Sequence, residues 1–332
     1  MEILVCPGCR TRTAERLDVR TLAKPSAVGD VLACECGRRY PIVDNVPIVL
    51  ADPTSYVASE AATIVERDLA PEIAALLVAT GPDDAAYPRL VEHLSIYMDN
   101  HWGDRAEPPP DGPGAGFAAA IIAKLAERAP HRVALAVELG CSVGRMVAEL
   151  ARGADHVVGL DLHFGAVRRA RHLLAGEAVP YLRRVVGREY TPAIARGLAT
   201  PPTTLLCGDA LDPPLIPGVY GRVVALNLLD SVRQPRQLLS VVDGLCAPGG
   251  ELILTSPYSW QSSVVDEAAR FGGDDPATAL VELLTTGAGL GARYRIEDNC
   301  ELPWTLRRDS RSAATYCIHY VRARKLPASG TV

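Results

Sequence analysis

Short apolar runs in the second half of the chain predict buried strands. The runs lie at residues 133–139, 156–160, 205–207, 223–226 and 252–256. Short runs bounded by turn residues are typical of strands that are covered on both faces of a sheet. Two longer stretches, 294–307 and 312–325, alternate apolar and polar residues, which predicts an antiparallel hairpin near the end of the chain.

Apolar residues recur at helical spacing over residues 56–80 and 86–102, so both stretches are predicted to be helical. Residues 108–116, which follow the second stretch, are rich in proline and glycine. Because these residues interrupt regular structure, we interpret the segment as a hinge or a lid loop. An aromatic and histidine cluster precedes it, at Tyr97, His101 and Trp102. This cluster fits either a flap over a ligand or packing between domains.

A turn of small residues joins the first buried strand to a helix that begins at Arg145. Gly140, Ser142 and Gly144 form this turn, and small residues let a backbone approach a ligand closely. Asp161 ends the next strand, where a carboxylate can bind two ribose hydroxyls. Glu138 precedes the turn and disfavours the pyrophosphate of a dinucleotide, whereas a cationic sulfonium would suit it.

Three further segments at the ends or starts of these runs follow in order. Gly208-Asp209-Ala210 comes after the third apolar run, Asn227 after the fourth, and residues 248–251 read Pro-Gly-Gly-Glu before the fifth. With the Glu-x-Gly-x-Ser-x-Gly turn, these segments resemble the motifs of class I S-adenosylmethionine-dependent methyltransferases. The resemblance implies an α/β fold with a Rossmann-like sheet and a C-terminal antiparallel hairpin.

The resemblance also implies the cofactor contacts. Asp161 would hold the ribose, Asp209 with Ala210 the adenine, and Asn227 would face the reacting methyl group. The full set expected to bind S-adenosylmethionine is Glu138, Gly140, Cys141, Ser142, Gly144, Asp161, Leu162, Gly208, Asp209, Ala210, Asn227 and Leu228.

Four cysteines near the start of the chain predict a structural zinc site. Cys6 and Cys9 form a C-x-x-C pair, and Cys34 and Cys36 form a C-x-C pair. Two thiol pairs fit tetrahedral zinc, which would supply stability that so small a module cannot draw from a core. The following residues 37–50 hold an Asp-Asn hairpin turn between short apolar runs. They resemble the zinc ribbon of the tRNA-methyltransferase activator family, which implies a structural or docking role.

A more specific resemblance covers roughly residues 130–325. The stretches 137–152, 225–235, 255–260 and 302–311 are similar to the mercaptohistidine imidazole N-methyltransferases of ovothiol biosynthesis. That family has no matching zinc ribbon, and this chain has no sulfoxide-synthase domain. The resemblance therefore implies a related methyltransferase, acting on a small polar metabolite with an amino-acid-like or heteroaromatic acceptor.

Candidate acceptor-side residues come from the aromatic cluster and from the loop after the fifth strand. A base is needed only if the acceptor carries a proton that must leave. The expected catalytic residues are Asn227, His101, Asp230 and Tyr258, and the expected substrate-binding residues are Tyr97, His101, Trp102, Tyr258, Trp260 and Arg307.

Composition limits the remaining choices. Hydrophobic residues make up 48% and charged residues 22% of 332 residues, which is typical of a globular protein with a large core. No apolar run is long enough to span a bilayer and no signal-peptide pattern is present, so a cytoplasmic protein is expected. The net charge of −5 argues against a nucleic-acid partner.

Alternatives stay open at this point. The ribbon, with Arg38 and Arg39, could grip rRNA or tRNA, or the chain could be a non-catalytic partner protein. A homodimer is possible. The expected domain division is a zinc ribbon at 1–52, a helical linker or lid at 53–115, the methyltransferase domain at 116–326 and a tail at 327–332.

Overall fold

The computed structural model describes residues 3–9, 11–13, 16–18, 30–65, 69–80, 82, 85–113, 118–127 and 131–327. Its strands are β1 (Thr11–Thr13), β2 (Arg16–Asp18), β3 (Val31–Ala33), β4 (Arg39–Val43), β5 (Val46–Pro47), β6 (Ala106–Glu107), β7 (Val133–Leu139), β8 (Ala154–Asp161), β9 (Ala178–Val186), β10 (Glu189–Arg196), β11 (Thr203–Cys207), β12 (Tyr220–Leu226), β13 (Cys246–Ser256), β14 (Tyr294–Arg307) and β15 (Ala313–Lys325). Its α-helices are α1 (Pro53–Ser59), α2 (Ala61–Ile64), α3 (Pro71–Ala79), α4 (Ala86–Trp102), α5 (Ala119–Ala126), α6 (Arg145–Leu150), α7 (Phe164–Leu174), α8 (Pro235–Leu245) and α9 (Pro276–Thr286).

A seven-stranded sheet with the order β11-β8-β7-β12-β13-β15-β14 forms the centre of the molecule. The strands from β11 to β13 pair in parallel, and β15 pairs antiparallel with both β13 and β14. Chain order runs outward from β7 to β8 and β11, then resumes at β12 on the other side of β7. Such a reversal opens a crevice beyond the carboxyl ends of the central strands.

Helices cover both faces of this sheet, and alternation along each strand decides which face a side chain joins. In β7, Leu135 belongs to the buried cluster that contains Leu239 of α8. Its neighbour Ala136 belongs to the cluster on the other face, which contains Val147 of α6. Burial on both faces explains why the central strands are almost continuously apolar.

The C-terminal strands form the predicted hairpin. β14 and β15 pair from Tyr294 opposite Lys325 to Arg307 opposite Ala313. The fold-class prediction, an α/β protein with a Rossmann-like sheet and a C-terminal antiparallel hairpin, is confirmed.

The N-terminal module adjoins β11. Strands β3, β4 and β5 form an antiparallel sheet whose hairpin turns at Asp44 and Asn45, both at positive φ, as the sequence predicted. Beyond β5, the Val49 N–H donates to the carbonyl oxygen of Cys207 at 2.9 Å. Near the start of the chain, the Val5 N–H donates to the Pro214 carbonyl oxygen at 2.9 Å. The module is therefore hydrogen-bonded to the end of β11 and to the segment that follows it.

The predicted helical stretch 56–80 is divided into α1, α2 and α3. Pro71 opens α3, and a residue that precedes proline is disfavoured in helical conformation, so the earlier helix cannot continue through this point. The second predicted stretch, 86–102, is the single helix α4. β6 joins β10 and β9 in a separate three-stranded sheet.

Some expectations fall outside the described residues. They include residues 114–116 of the predicted hinge, with the proposed domain boundary at 116, and all but the first residue of the tail. None of the helices in the described part of the chain combines the length and apolar character that a membrane span needs.

Candidate active site

The turn after β7 is held in conformations that small residues permit. Gly140 has φ +75° and Gly144 φ +79°, in the left-handed region that side chains disfavour. A Cβ at Gly140 would lie 3.0 Å from Leu228 Cδ1, and one at Gly144 would lie 2.8 Å from Ala170 Cβ. From behind, buried Trp102 donates its indole N–H to the Val143 carbonyl oxygen at 2.9 Å. The conformation of the turn is thus fixed by the close packing at its glycines and by the hydrogen bond from Trp102.

Asp161 closes the next strand and is anchored by backbone donors. Its Oδ2 accepts from the Ser142 N–H at 2.8 Å, and its Oδ1 accepts from the His163 N–H at 2.8 Å. Burial raises the pKa of Asp161, and these backbone hydrogen bonds oppose that effect. Each oxygen keeps a second lone pair for a ligand.

Glu138 lies beside this carboxylate with only 2% of its surface exposed. Burial, followed by the charge of Asp161, raises its pKa well above the ordinary value. Its Oε2 is buried and has no hydrogen-bond partner among the described residues. Buried polar atoms in native proteins are nearly always paired, so this oxygen fits a donor group of a ligand.

The residues that follow β12 and β11 add polar groups at the same edge of the sheet. The Asn227 amide Oδ1 accepts from the Thr255 hydroxyl at 2.9 Å, and the Asn227 backbone is at φ +50°. Asp209 accepts from the Leu211 N–H at 2.8 Å and from Arg233 at 3.1 Å. Both side chains are therefore fixed before any ligand binds.

These groups line one cavity of about 360 Å³. Its lining contains most of the residues that the sequence singled out, namely Glu138, Gly140, Ser142, Asp161, Leu162, Asp209, Ala210, Asn227, Leu228, Tyr97 and His101. Carboxyl ends of neighbouring parallel strands meet at one edge, which is why they converge. Cys141, Gly144 and Gly208 belong to the same turns but do not line the cavity.

The predicted residues Tyr258 and Trp260 on the loop after β13 lie outside the cavity, although Gln261 of the same loop lines it. The Asp230 carboxylate is buried and accepts from the Ser259 N–H at 3.0 Å and the Ser259 hydroxyl at 2.7 Å. The Tyr258 hydroxyl lies 2.8 Å from His319 Nδ1, and Trp260 packs edge-on against Phe271. None of these predicted catalytic or substrate residues is among the cavity's lining side chains.

Arg307, predicted to bind substrate, is also placed elsewhere. It is 1% exposed, and its guanidinium donates to Asp99 Oδ2 at 2.8 Å and to the Asp111 carbonyl oxygen at 2.7 Å. Asp99 also pairs with Arg183 at 2.8 Å and accepts from the Tyr181 hydroxyl at 2.5 Å. This buried network joins α4 to β9 and β14. Arg307 therefore holds these elements together and does not line the cavity.

We expect Asp99→Ala to destabilise the protein by about 3–5 kcal/mol, because it leaves two buried guanidinium groups without their shared carboxylate. Thermal and chemical denaturation would measure this loss. Glu107→Ala is the control, since Glu107 pairs with Arg196 at 2.7 Å on the surface and exposed pairs contribute about 0–1 kcal/mol. Equal effects of both changes would contradict the network's role.

Sequence inspection missed several side chains that line the cavity. His93 and His163 stack with ring centroids 4.7 Å apart, and Trp304 of β14 also lines the space. A signal existed for His93, which precedes Tyr97 and His101 at intervals of four residues on a predicted helix. For Trp304, the alternation of apolar and polar residues along β14 does not indicate that its side chain lines a cavity.

Burial keeps the cavity histidines neutral. It lowers the pKa of His93 to about 4, that of His101 to about 3, and that of His163 below its usual range. Their folded pKa values lie below the unfolded value of about 6.5. The stability that they contribute is therefore complete above pH 6.5 and is lost as the pH falls towards 4.

We accordingly expect the free energy of unfolding to fall with decreasing pH between about 6.5 and 4, with up to about 1.4 kcal/mol per pH unit from each histidine. His93→Gln, which removes one of these titrating groups, should make the slope shallower. Urea titrations at a series of pH values would measure it. An unchanged slope in the variant would show that His93 does not titrate in this way.

The four N-terminal thiols form a second candidate site. The sulfur atoms of Cys6, Cys9, Cys34 and Cys36 all lie within 4.8 Å of one another. Cys6 Sγ is 3.7 Å from Cys36 Sγ, and Cys9 Sγ is 3.6 Å from Cys34 Sγ. Tetrahedral zinc with bonds of about 2.3 Å separates its sulfurs by about 3.8 Å, whereas a disulfide needs about 2.05 Å. The donor set therefore fits zinc.

Comparison with known families identifies the fold around the cavity. Residues 137–254, which run from β7 to β13, match a family model described as a methyltransferase domain. Residues 137–254 are therefore a methyltransferase domain. The prediction that the protein is an enzyme, an S-adenosylmethionine-dependent methyltransferase, is confirmed. A comparison with curated protein sequences gave no match.

Three solved methyltransferase structures are similar to parts of this chain. Phosphoethanolamine N-methyltransferase 1 of Haemonchus contortus has 13% identity and a TM-score of 0.48, with 80% of this chain and 51% of that chain covered. Magnesium protoporphyrin IX methyltransferase of Synechocystis has 17% identity and a TM-score of 0.38, with 61% and 76% covered. A 16S rRNA (adenine(1408)-N(1))-methyltransferase of Catenulisporales acidiphilia has 19% identity and a TM-score of 0.39, with 63% and 92% covered.

Proposed function

We propose that this methyltransferase transfers a methyl group from S-adenosylmethionine to a small polar metabolite, with a nitrogen of an amino-acid-like or heteroaromatic compound as acceptor. The observation that carries the proposal is the single cavity in which Glu138, Asp161 and Asn227 meet aromatic side chains of α4. A cavity of about 360 Å³ suits small molecules.

The cofactor roles follow from the strand ends. Asp161, which keeps free lone pairs at the end of β8, would accept from the two ribose hydroxyls. Glu138, with its unpaired Oε2, would attract the cationic amino or sulfonium end. Asp209 and Ala210 would lie at the adenine, with Leu162 and Leu228 packing beside it.

Methyl transfer is an in-line displacement in which the acceptor's lone pair forms a bond to the methyl carbon as the sulfonium leaves as a thioether. Since no residue forms a bond in this step, the protein contributes mainly by positioning the acceptor. Asn227, fixed by Thr255, would orient it. A proton on the acceptor would leave to water or to a neutral imidazole such as His101.

The N-terminal module would hold zinc in a structural role, through Cys6, Cys9, Cys34 and Cys36. All four positions in a tetrahedral site are then filled by protein thiolates, which leaves none for catalysis. We retain the division into a ribbon at 1–52, a linker or lid at 53–115 and a catalytic domain at 116–326 as part of this proposal.

The test is to incubate the full-length protein with methyl-labelled S-adenosylmethionine and, separately, with the small molecules and the total RNA of a source-cell extract. Label in the small-molecule fraction supports the proposal and gives the mass of the product. Label in RNA would replace it with an RNA-modifying activity in which the ribbon recognises the substrate. No label in either fraction would reject both activities.

A further inference from the structure

A row of aromatic side chains, here named the α4 row, lies on one side of the cavity. His93, Tyr97 and His101 follow one another at intervals of four residues along α4, so they share a face of the helix. Ring centroids are 4.6 Å apart between His93 and Tyr97 and 5.9 Å apart between Tyr97 and His101. His163 extends the row by stacking on His93. All four rings line the cavity.

The same cavity contains apolar side chains from α5, α6 and β12 and the indole of β14. Ile121, Met146 and Leu226 line it together with Trp304. The Trp304 Nε1–H is buried and has no acceptor among the described residues. A flat ring fits between rings and aliphatic groups, and a ring nitrogen or carbonyl oxygen would accept from this indole.

The charge of the cavity excludes a class of acceptors. Three carboxyl groups line it, on Glu138, Asp161 and Asp209, whereas no lysine or arginine is present among the described lining residues. Asp209 pairs with Arg233, whose exposed side chain is not part of the lining. The buried guanidinium groups nearby are engaged elsewhere, Arg145 with Asp104 at 2.6 Å and Arg307 with Asp99 at 2.8 Å. The ammonium and sulfonium groups of S-adenosylmethionine offset its own carboxylate, whereas an acceptor with a net negative charge would be buried without a cation.

We propose that the acceptor is a planar aromatic or heteroaromatic compound that carries no net negative charge, bound against the α4 row and Trp304. This inference rests on the proposed methyl-transfer function and narrows it, since it excludes non-aromatic acceptors and acceptors with a net negative charge. A cationic ring or amine would be favoured further by the aromatic faces.

The labelled product from a small-molecule extract tests the proposal directly. Passed over an anion-exchange resin at pH 8, the product is expected in the unretained fraction, with the signals of an aromatic ring in its nuclear magnetic resonance spectrum. A labelled product that the resin retains, or one without an aromatic ring, would overturn the inference while leaving small-molecule methylation intact. Absence of any small-molecule label would instead reject the proposed function, and this inference with it.

A matched pair of variants tests the binding surface. Tyr97→Leu removes the central ring of the row, and Tyr190→Leu removes a tyrosine that packs with Val78 and Leu182 away from the cavity. With the unretained extract fraction as acceptor, we expect Tyr97→Leu to lower label incorporation by about tenfold, as the loss of stacking predicts. Concentrating the fraction should restore part of the rate, because the defect is in acceptor binding.

S-adenosylhomocysteine affinity, measured by calorimetry, separates this effect from a folding defect. It should stay within about twofold of the native value in both variants, since neither change removes a proposed cofactor contact. Equal incorporation by Tyr97→Leu and Tyr190→Leu would overturn the assignment of the α4 row. So would a loss in Tyr97→Leu that concentrated acceptor does not relieve while S-adenosylhomocysteine affinity is retained.

Discussion

Replacing Cys34 with serine is expected to abolish zinc binding and to unfold the N-terminal module. The four sulfurs lie within 4.8 Å of one another, and loss of one thiolate leaves three ligands and an incomplete tetrahedron. Structural zinc contributes on the order of 10 kcal/mol in small modules. Elemental analysis should find about one zinc per native chain and none in the variant.

Limited proteolysis would report the structural consequence. Cleavage within residues 3–50 should become at least about tenfold faster in Cys34→Ser, because opening of the module no longer costs the metal's binding energy. Cys317→Ser is the matched control, since Cys317 is an exposed thiol outside the cluster. Retention of zinc by Cys34→Ser, or equal loss of zinc from both variants, would refute the four-thiolate site.

Replacing Asp161 with alanine is expected to weaken S-adenosylmethionine binding by about 100-fold, or about 2.7 kcal/mol. The loss combines the contacts to two ribose hydroxyls, because charge-assisted hydrogen bonds contribute about 1.5–3 kcal/mol each. The turn should also loosen, since the Ser142 and His163 N–H groups lose their acceptor. Isothermal titration calorimetry with S-adenosylmethionine would measure the affinity.

Asp155→Ala is the control for this change. Asp155 lies near the other end of β8 and pairs with Arg132 on the surface, with 62% of its side chain exposed. We expect its removal to leave the cofactor affinity within about twofold, because it lies outside the cavity and exposed pairs contribute little. Native affinity in Asp161→Ala would show that the ribose is held by other groups.

The sequence alone indicated which strand-end residues meet at the cavity. Gly140, Asp161, Asp209 and Asn227 each follow a buried strand, and parallel strands of a doubly wound sheet bring their carboxyl ends to one edge. Chain order alone therefore placed these residues together before any distance was known. The C-terminal hairpin was predictable for a similar reason, since two-residue alternation leaves little choice of structure.

The residues predicted to contact the substrate could not be placed correctly from the sequence. Tyr258, Trp260 and Arg307 were chosen because aromatic and charged residues near a sheet edge often contact ligands, yet their side chains lie outside the cavity. Positive φ at Tyr258 and Trp260 redirects the loop in a way that composition does not reveal. The role of Asp99 in holding Arg307 depends on contacts between residues about 200 positions apart, which local patterns do not encode.

The attachment of the N-terminal module has a consequence for solubility. β11 is the outermost strand of the central sheet, and an outermost strand offers unpaired N–H and C=O groups to any passing chain. Ile48 pairs with Cys207 at the end of this strand, and Leu4 pairs with Leu215 just beyond it. The module therefore shields part of the sheet's open side from intermolecular β-pairing, so that a zinc ion holding the module together would also protect the sheet from aggregation.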